Sequence, residues 1–529
     1  MVSNDLQQLV GFGTPQVVVV GGGAVGIMLA ADLARAGKRV LLLEAGGWDS
    51  EASDYTFDEV VSSGVPFSGL ACGRFRALGG TTTKWGGQLV PVEPIAFEAR
   101  PWLGEEGWPI SASDLSGAYE ATLDLIGMQR RLPDEEVWRH LRVEPPATGE
   151  DLDLFLTRWL PEPNFARLFP AELAANPNLA VVTGASVCGL TFDDGSRRVG
   201  LSVLHKGIRT RLEADHVVIA NGTIEIARLL LQPLADGCTA PWATNRWLGK
   251  GFVDHVDCYA GSVHPMDQKR FHQVFDAGVV NGLKYLPKLK LSPQCQRRDQ
   301  LLGVAAHFVS SSGKARQLAA LKTAARNLMN RTSIEHDGFD LRRSAELLDL
   351  LARTAVRYLQ HRRIYNPAEE GIRLRLTGEQ IVVAESGLTL TEHFDRSGMF
   401  KGKLDWRIDG RELITLSSFA RKVAEYLQSA GLAQVQLDPL LVERDPAFIE
   451  KLEDGFHHMG MARMGSTPED GVVDRDLKVF GTENLFVAGA AVFRSPGFAN
   501  PTLTALTLAM RLSQAIKLGS TASRDRAVA

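Results

Sequence analysis

The sequence predicts an α/β fold in two parts: a Rossmann-like domain built on a parallel sheet, and an inserted domain of antiparallel sheet plus helices. Three observations point there. The β-branched run Val17–Val20 ends in Gly21-Gly22-Gly23, and a helical pattern from 24 to 36 and a second apolar run, Val40–Leu43, follow it. That β-loop-α-β order opens a parallel sheet. Short strand-like runs between 181 and 220 then return to the same domain, whereas from about 254 to 445 the pattern shifts to strand pieces and Lys/Arg-rich helix. At 529 residues the chain far exceeds the roughly 150 expected per domain. The expected division is discontinuous: 1–110, 165–253 and 450–529 in the first domain, 111–164 and 254–449 in the second.

The turn Asp193-Asp194-Gly195 separates strand-like runs around Val187 and at 201–203, and Asn221-Gly222-Thr223 leads into a helix through 226–231. Within the insert, 372–376, 380–383 and 404–408 read as strands and 419–430 as a helix. The basic stretch 313–363 has two readings, a solvated helical face or a surface that touches a membrane or a redox partner. Near the end, 484–490 is a buried strand running into a Gly/Ala turn, and Asn500-Pro501-Thr502 opens an apolar helix to about Ile516.

With 45% hydrophobic and 23% charged residues the chain has the balance of a globular enzyme. A formal net charge of -4 gives no electrostatic reason to expect nucleic acid. The five cysteines are scattered and form no C-x-x-C pair, so they read as reduced thiols. Without a basic-then-apolar leader or an apolar stretch of about 18 residues, the expected location is the cytoplasm.

Gly21-x-Gly23-x-x-Gly26 sits between strand and helix, the context a dinucleotide fingerprint requires. Gly21 makes the tight turn, Gly23 lets backbone approach a pyrophosphate, and Gly26 permits close helix-to-strand contact. Ala24 and Val25 start the helix, whose free N–H groups suit phosphates. Glu44 closes the second strand, near the spacing of roughly 20 residues at which a carboxylate meets ribose hydroxyls. Whether the nucleotide is FAD or NAD is left open by the fingerprint. The loop Leu78-Gly79-Gly80-Thr81-Thr82-Thr83-Lys84-Trp85-Gly86-Gly87 could lie flat against a ring system, and it also reads as a surface loop.

At the other end, Asn500 before Pro501 is good capping chemistry by itself. In Phe456-His457-His458-Met459-Gly460 the plain reading is one buried, hydrogen-bonded histidine and one surface neighbour. Adjacent histidines point apart, and with no carboxylate or cysteine cluster beside them no metal site is expected.

Together, Gly21 to Glu44, the loop at 78–87, His457-x-x-Gly460 with Arg463-Met464-Gly465, and Asn500-Pro501-Thr502 resemble the glucose-methanol-choline (GMC) family of FAD-dependent oxidoreductases. The resemblance covers essentially the whole chain and is closest to a pyranose oxidase-like, bacterial sugar oxidoreductase branch. It implies an FAD-binding domain of the GMC/p-hydroxybenzoate hydroxylase-like type, with His457 in the position of the catalytic base and Asn500 in that of the second catalytic residue. The implied cofactor contacts are Gly21, Gly23, Ala24, Val25, Gly26, Glu44, Arg76, Gly80, Thr81, Thr82, Val187, Ala490, Pro501 and Thr502. Three positions depart from the family's pattern. Met461 stands for the usual Thr; Lys84 stands where pyranose oxidases carry the FAD-linked histidine, so non-covalent FAD is expected; and Ala490 replaces a common Asp, so backbone makes that contact.

The implied chemistry removes a hydroxyl proton to His457 and passes hydride from the same carbon to the flavin, with Asn500 bonding the developing alkoxide and the helix from Pro501 facing the ring. The substrate implied is a secondary alcohol of a sugar, glycoside or cyclitol. Oxidation of a non-sugar alcohol, a flavin-containing lyase and an NAD-dependent dehydrogenase stay open as alternatives, and oxygen, a quinone or a redox protein as electron acceptor.

Overall fold

The computed structural model describes residues 2–3, 12–48, 59–312, 352, 355–364, 366 and 368–519. Its parallel sheet runs in the order Val2–Ser3, Leu179–Val182, Val40–Leu43, Val17–Val20, His216–Ile219, Leu485–Val487. Strands Val17–Val20, Val40–Leu43 and Leu179–Val182 are apolar and buried at every position, the pattern of a sheet covered on both faces. Helix Ala24–Arg35 packs on these strands and on helix Thr502–Lys517. The six strands come from the beginning, middle and end of the chain. Their carboxyl ends therefore gather loops from all three, which is where open α/β sheets bind ligands. Strands Ala185–Asp193, Arg198–His205 and Ile208–Leu212 form a separate antiparallel meander, with the expected turn after Asp193.

The second large sheet is antiparallel. It runs Ala433–Leu437, Val256–Pro265, Gly371–Gly378, Val304–Ser311, Leu283–Leu291, Leu152–Trp159, Gln88–Leu89, with Gly278–Val280 and Glu453–Asp454 attached. Helix Glu412–Ser429 buries Leu413, Leu416, Phe419, Ala420, Val423 and Leu427, in one core with Val256, Leu289, Ala306, Leu374 and Leu376. Because successive strand residues face opposite ways, Asp257, Lys288, His307 and Arg375 fall on the other face, toward the parallel-sheet part. A small sheet joins Gly387–Phe394 and Phe400–Trp406 to Val60–Gly64. Thus Val60–Gly64 and Gln88–Leu89, from the segment expected in the first domain, pair with strands of the second.

Two expectations need correction. Residues 380–383 are not a strand. The Gln380 carboxamide accepts from the Asp254 N–H and the Trp406 indole and donates to the Arg407 carbonyl, while Ile381 N–H goes to the Glu412 carboxylate, so side chains satisfy this segment instead of a ladder. The last helix begins at Thr502 with Pro501 in the cap position and no side-chain cap, so Asn500 does not cap it. The basic stretch 313–363 lies almost entirely outside the described residues. Among the described residues no helix is long and apolar enough to cross a membrane.

Candidate active site

At the carboxyl ends of the parallel strands lies a crevice of about 480 Å³. Of the fourteen expected cofactor residues, Gly26 alone is absent from its lining. Gly26 sits beneath, where an added Cβ would stand 1.9 Å from the Gly21 carbonyl oxygen, which is the close helix-to-strand approach foreseen for it. Gly21 has φ +104 and no room for a side chain against Ala220 and Asn221. Above Gly23, by contrast, a Cβ would meet nothing within 4 Å, leaving backbone open to a phosphate at the start of helix Ala24–Arg35.

Glu44 lines the crevice and is held by two backbone donors, Gly22 N and Gly46 N, each at 2.7 Å. Burial raises its carboxyl above the ordinary range against those two bonds. A carboxylate has about four acceptor sites, so two stay available to ribose hydroxyls. The Thr82 hydroxyl is used within its own loop, donating to Gly79 O and accepting from Phe165 N. Arg76 pairs with Glu59 at 2.8 Å. Lys84 is exposed and lies outside the lining. On the crevice wall, Asn221 Oδ1 and His458 Nε2 are buried without a hydrogen-bond partner among the described residues. Open space over Gly23, two polar atoms wanting partners and an uncapped helix start at Thr502 fit a dinucleotide carrying a polar ring system.

His457 and Asn500 meet: Asn500 Nδ2 lies 2.8 Å from His457 Nε2. A third residue, His255, completes the cluster, its Nδ1 2.8 Å from His457 Nδ1 and its Nε2 3.0 Å from the Gly497 carbonyl. A carbonyl only accepts, so His255 carries its hydrogen on Nε2. Its Nδ1 is then a lone pair and must accept from His457 Nδ1–H. That leaves the lone pair of His457 on Nε2, beside Asn500. Burial holds His255 down to about 4 and His457 well below the ordinary imidazole value, so both rings are neutral near pH 7.

The backbone that presents them is fastened by Asp254, fully buried, which accepts from His255 N, Gly455 N and His457 N. Phe456 (φ 60) and Met461 (φ 73) bracket the histidines in left-handed conformations, an arrangement held only where surroundings impose it. His458 turns the other way, packing on Phe67 at 5.2 Å and Phe252 at 6.1 Å between ring centroids, and its ring lines the crevice. It is therefore half-buried against aromatics and no surface neighbour.

Past His457 the polar face of the antiparallel sheet encloses a second cavity of about 130 Å³, lined in part by Gln88, Asp257, Lys288, His307, Arg375 and Asn500. His457 is common to both cavities. Sequence reasoning missed His255, Asp254 and this whole wall.

A dinucleotide crevice at the carboxyl ends of a parallel sheet, sharing an imidazole with a polar pocket on an antiparallel sheet, defines a two-part nucleotide-dependent enzyme. The family model described as GMC oxidoreductase matches residues 383–509, and the one described as FAD dependent oxidoreductase matches residues 16–91. A 2-methyl-1,2-propanediol dehydrogenase of Mycolicibacterium austroafricanum is 22% identical, over 94% of this chain and 94% of its own. A 6'''-hydroxyparomomycin C oxidase of Streptomyces lividus is 23% identical over 97% of this chain and 92% of its own. Among solved structures, pyridoxine 4-oxidase from Mesorbium loti superposes with a TM-score of 0.56 at 17% identity, covering 95% of this chain and 99% of that one, a likeness of fold. The chain is thus similar to the FAD-dependent oxidoreductases in its first segment and to the GMC oxidoreductases in its last.

Proposed function

We propose that the protein oxidises a secondary alcohol of a sugar, glycoside or cyclitol to a ketone, with FAD bound non-covalently in the larger crevice and the alcohol entering the smaller pocket. The observation that carries this reading is the position of His457, which lines both cavities. Gly21, Gly23, Ala24 and Val25 would hold the pyrophosphate, Glu44 a ribose, and the segments around Thr81, Ala490 and Thr502 the ring system. FAD, when bound, supplies the hydride acceptor.

His457 and Asn500 divide the rest. With His255 holding its Nδ1–H, His457 offers a lone pair at Nε2, a general base for the hydroxyl proton. One amide hydrogen of Asn500 points at that nitrogen, and the second is free to bond the substrate oxygen as charge develops there. Both full-length relatives act, by their names, on hydroxylated compounds, which supports an alcohol donor. The two-domain division is proposed with the same assignment: 1–110, 165–253 and 450–529 for FAD, 111–164 and 254–449 for substrate.

The test is anaerobic mixing of the yellow protein with a panel of sugars, glycosides, cyclitols and simple alcohols. Bleaching by a polyhydroxylated member is expected, and failure of every alcohol to bleach the flavin would sink the reading in favour of a lyase. Admission of air then identifies the acceptor: fast recolouring marks oxygen, slow recolouring a quinone or redox protein.

A further inference from the structure

The lining of the pocket beyond His457 holds two cations, Lys288 and Arg375, and one carboxylate, Asp257, and of the two cations Lys288 is the one without an ion pair among the described residues. Lys288 is 8% exposed, and its only hydrogen bond among the described residues is to Gln88 Oε1 at 3.5 Å, longer than a good N–H···O bond. No carboxylate lies within the 4.0 Å of an ion pair to it among the described residues. An ammonium has three donors, and burying it unpaired is costly. Arg375, on the same wall, spends one donor on Asp257 at 2.8 Å, lies 3.7 Å from the exposed Glu453 carboxylate and sits over Tyr259. Asp257 is thus shared between two cations, one in contact and one at a distance. Its Oδ1 and His307 Nδ1 are buried with no partner among the described residues. Burial lowers the Lys288 ammonium to about 8, which leaves it largely charged at neutral pH.

We propose that this pocket recognises an anionic group, a carboxylate or a phosphate, on the alcohol to be oxidised, with Lys288 as its principal ligand and Arg375 as the second. An anion there supplies the Lys288 donors with the close counter-charge that Asp257 and Glu453, both paired with Arg375, do not give it. Asp257 Oδ1 and His307 Nδ1 then accept hydroxyl donors from the same molecule, so the substrate class is an acidic polyol: an aldonate, a uronate or a phosphorylated sugar. This inference rests on the reading of His457 as the group at the reacting hydroxyl, and it narrows the substrate class.

Two experiments on the FAD-loaded protein test it. The first titrates acetate and, separately, inorganic phosphate calorimetrically. Saturable binding of one of them, weakened at least tenfold in Lys288→Met and retained in Lys288→Arg, is expected, and which ion binds separates carboxylate from phosphate recognition. Absence of saturable binding by both, or equal binding in Lys288→Met, overturns the proposal. Lys288→Gln serves in its place if the Met variant loses FAD.

The second compares anaerobic flavin reduction by matched pairs, D-gluconate with D-glucitol and D-glucose 6-phosphate with D-glucose. The acidic member of one pair is expected to show at least tenfold higher kcat/KM, a ratio that collapses in Lys288→Met. Preference for the neutral members, or for D-glucosamine through Asp257, overturns it. If glucitol bleaches the flavin while neither anion binds, the inference fails and the alcohol reading stands. If the anions bind through Lys288 and no alcohol bleaches the flavin, the reverse holds.

Discussion

His255 decides which nitrogen of His457 carries the lone pair, although no motif marks it. Its Nε2–H is committed to the Gly497 carbonyl, so its Nδ1 can only accept, and His457 is locked with Nε2 as lone pair. Replacing His255 with Ala should slow flavin reduction more than it raises KM. His255→Asn places an amide oxygen near the lost Nδ1 and should restore part of the rate; equal rates in the two variants would contradict the tautomer argument. The pH profile follows from the same residues. Burial lowers His457 well below the ordinary 6.5, and neutral imidazole is the active form, so activity is lost only as pH falls through that depressed value. The limiting rate of flavin reduction at saturating substrate should stay level from about pH 7.5 to 6.5, and an acidic limb centred at or above 6.5 would count against it. His457 and Asn500 were legible because the family's motif fixes their spacing. His255 was not, since a histidine at the start of an apolar strand reads as a satisfied core residue.

Elements, more than single side chains, set the distance between the two ends of the site. Arg100 and Glu379, 1% exposed each, pair bidentately, and Glu379 also accepts from Gly303 N and Gly497 N. This ties the antiparallel sheet to the loop that carries Asn500. Removing one partner of such a buried pair costs about 3–5 kcal/mol. Glu379→Ala should lower the chemical unfolding free energy by that amount, and a loss under about 1 kcal/mol would show the pair to be dispensable. Asn500→Ala separates the two roles expected of that residue. Since it makes no cap, stability should change by less than the roughly 1 kcal/mol of a lost cap, while flavin reduction slows about 10²-fold or more, as for a lost transition-state donor. The antiparallel wall illustrates why element types were readable and their purpose was not. In strand Leu283–Leu291 the lysines at 284, 288 and 290 alternate with apolar residues, which reads as a half-solvated strand. Only the fold shows that the second face meets another domain, so that Lys288 lies in a cavity.

On the scale of the molecule, one parallel sheet draws its strands from residues 2–3, 17–20, 40–43, 179–182, 216–219 and 485–487, and the crevice inherits walls from each part of the chain. FAD held there would bridge segments far apart in sequence. Binding only to the folded form stabilises by mass action, about 2.7 kcal/mol at a hundredfold excess over Kd. Stripping FAD should lower the thermal midpoint, and added FAD should restore it in a concentration-dependent way; an unchanged midpoint would mean that the crevice does not hold the cofactor. The nucleotide half was legible because each glycine answers to a local steric demand, whereas the pocket half depends on which face of a sheet meets which neighbour. The most direct trial of His457 at the junction of both cavities is single-turnover, anaerobic flavin reduction in His457→Ala carrying a full complement of FAD. A slowing of about 10²- to 10⁴-fold is expected with FAD still bound, and a rate equal to the unaltered protein's would contradict the account.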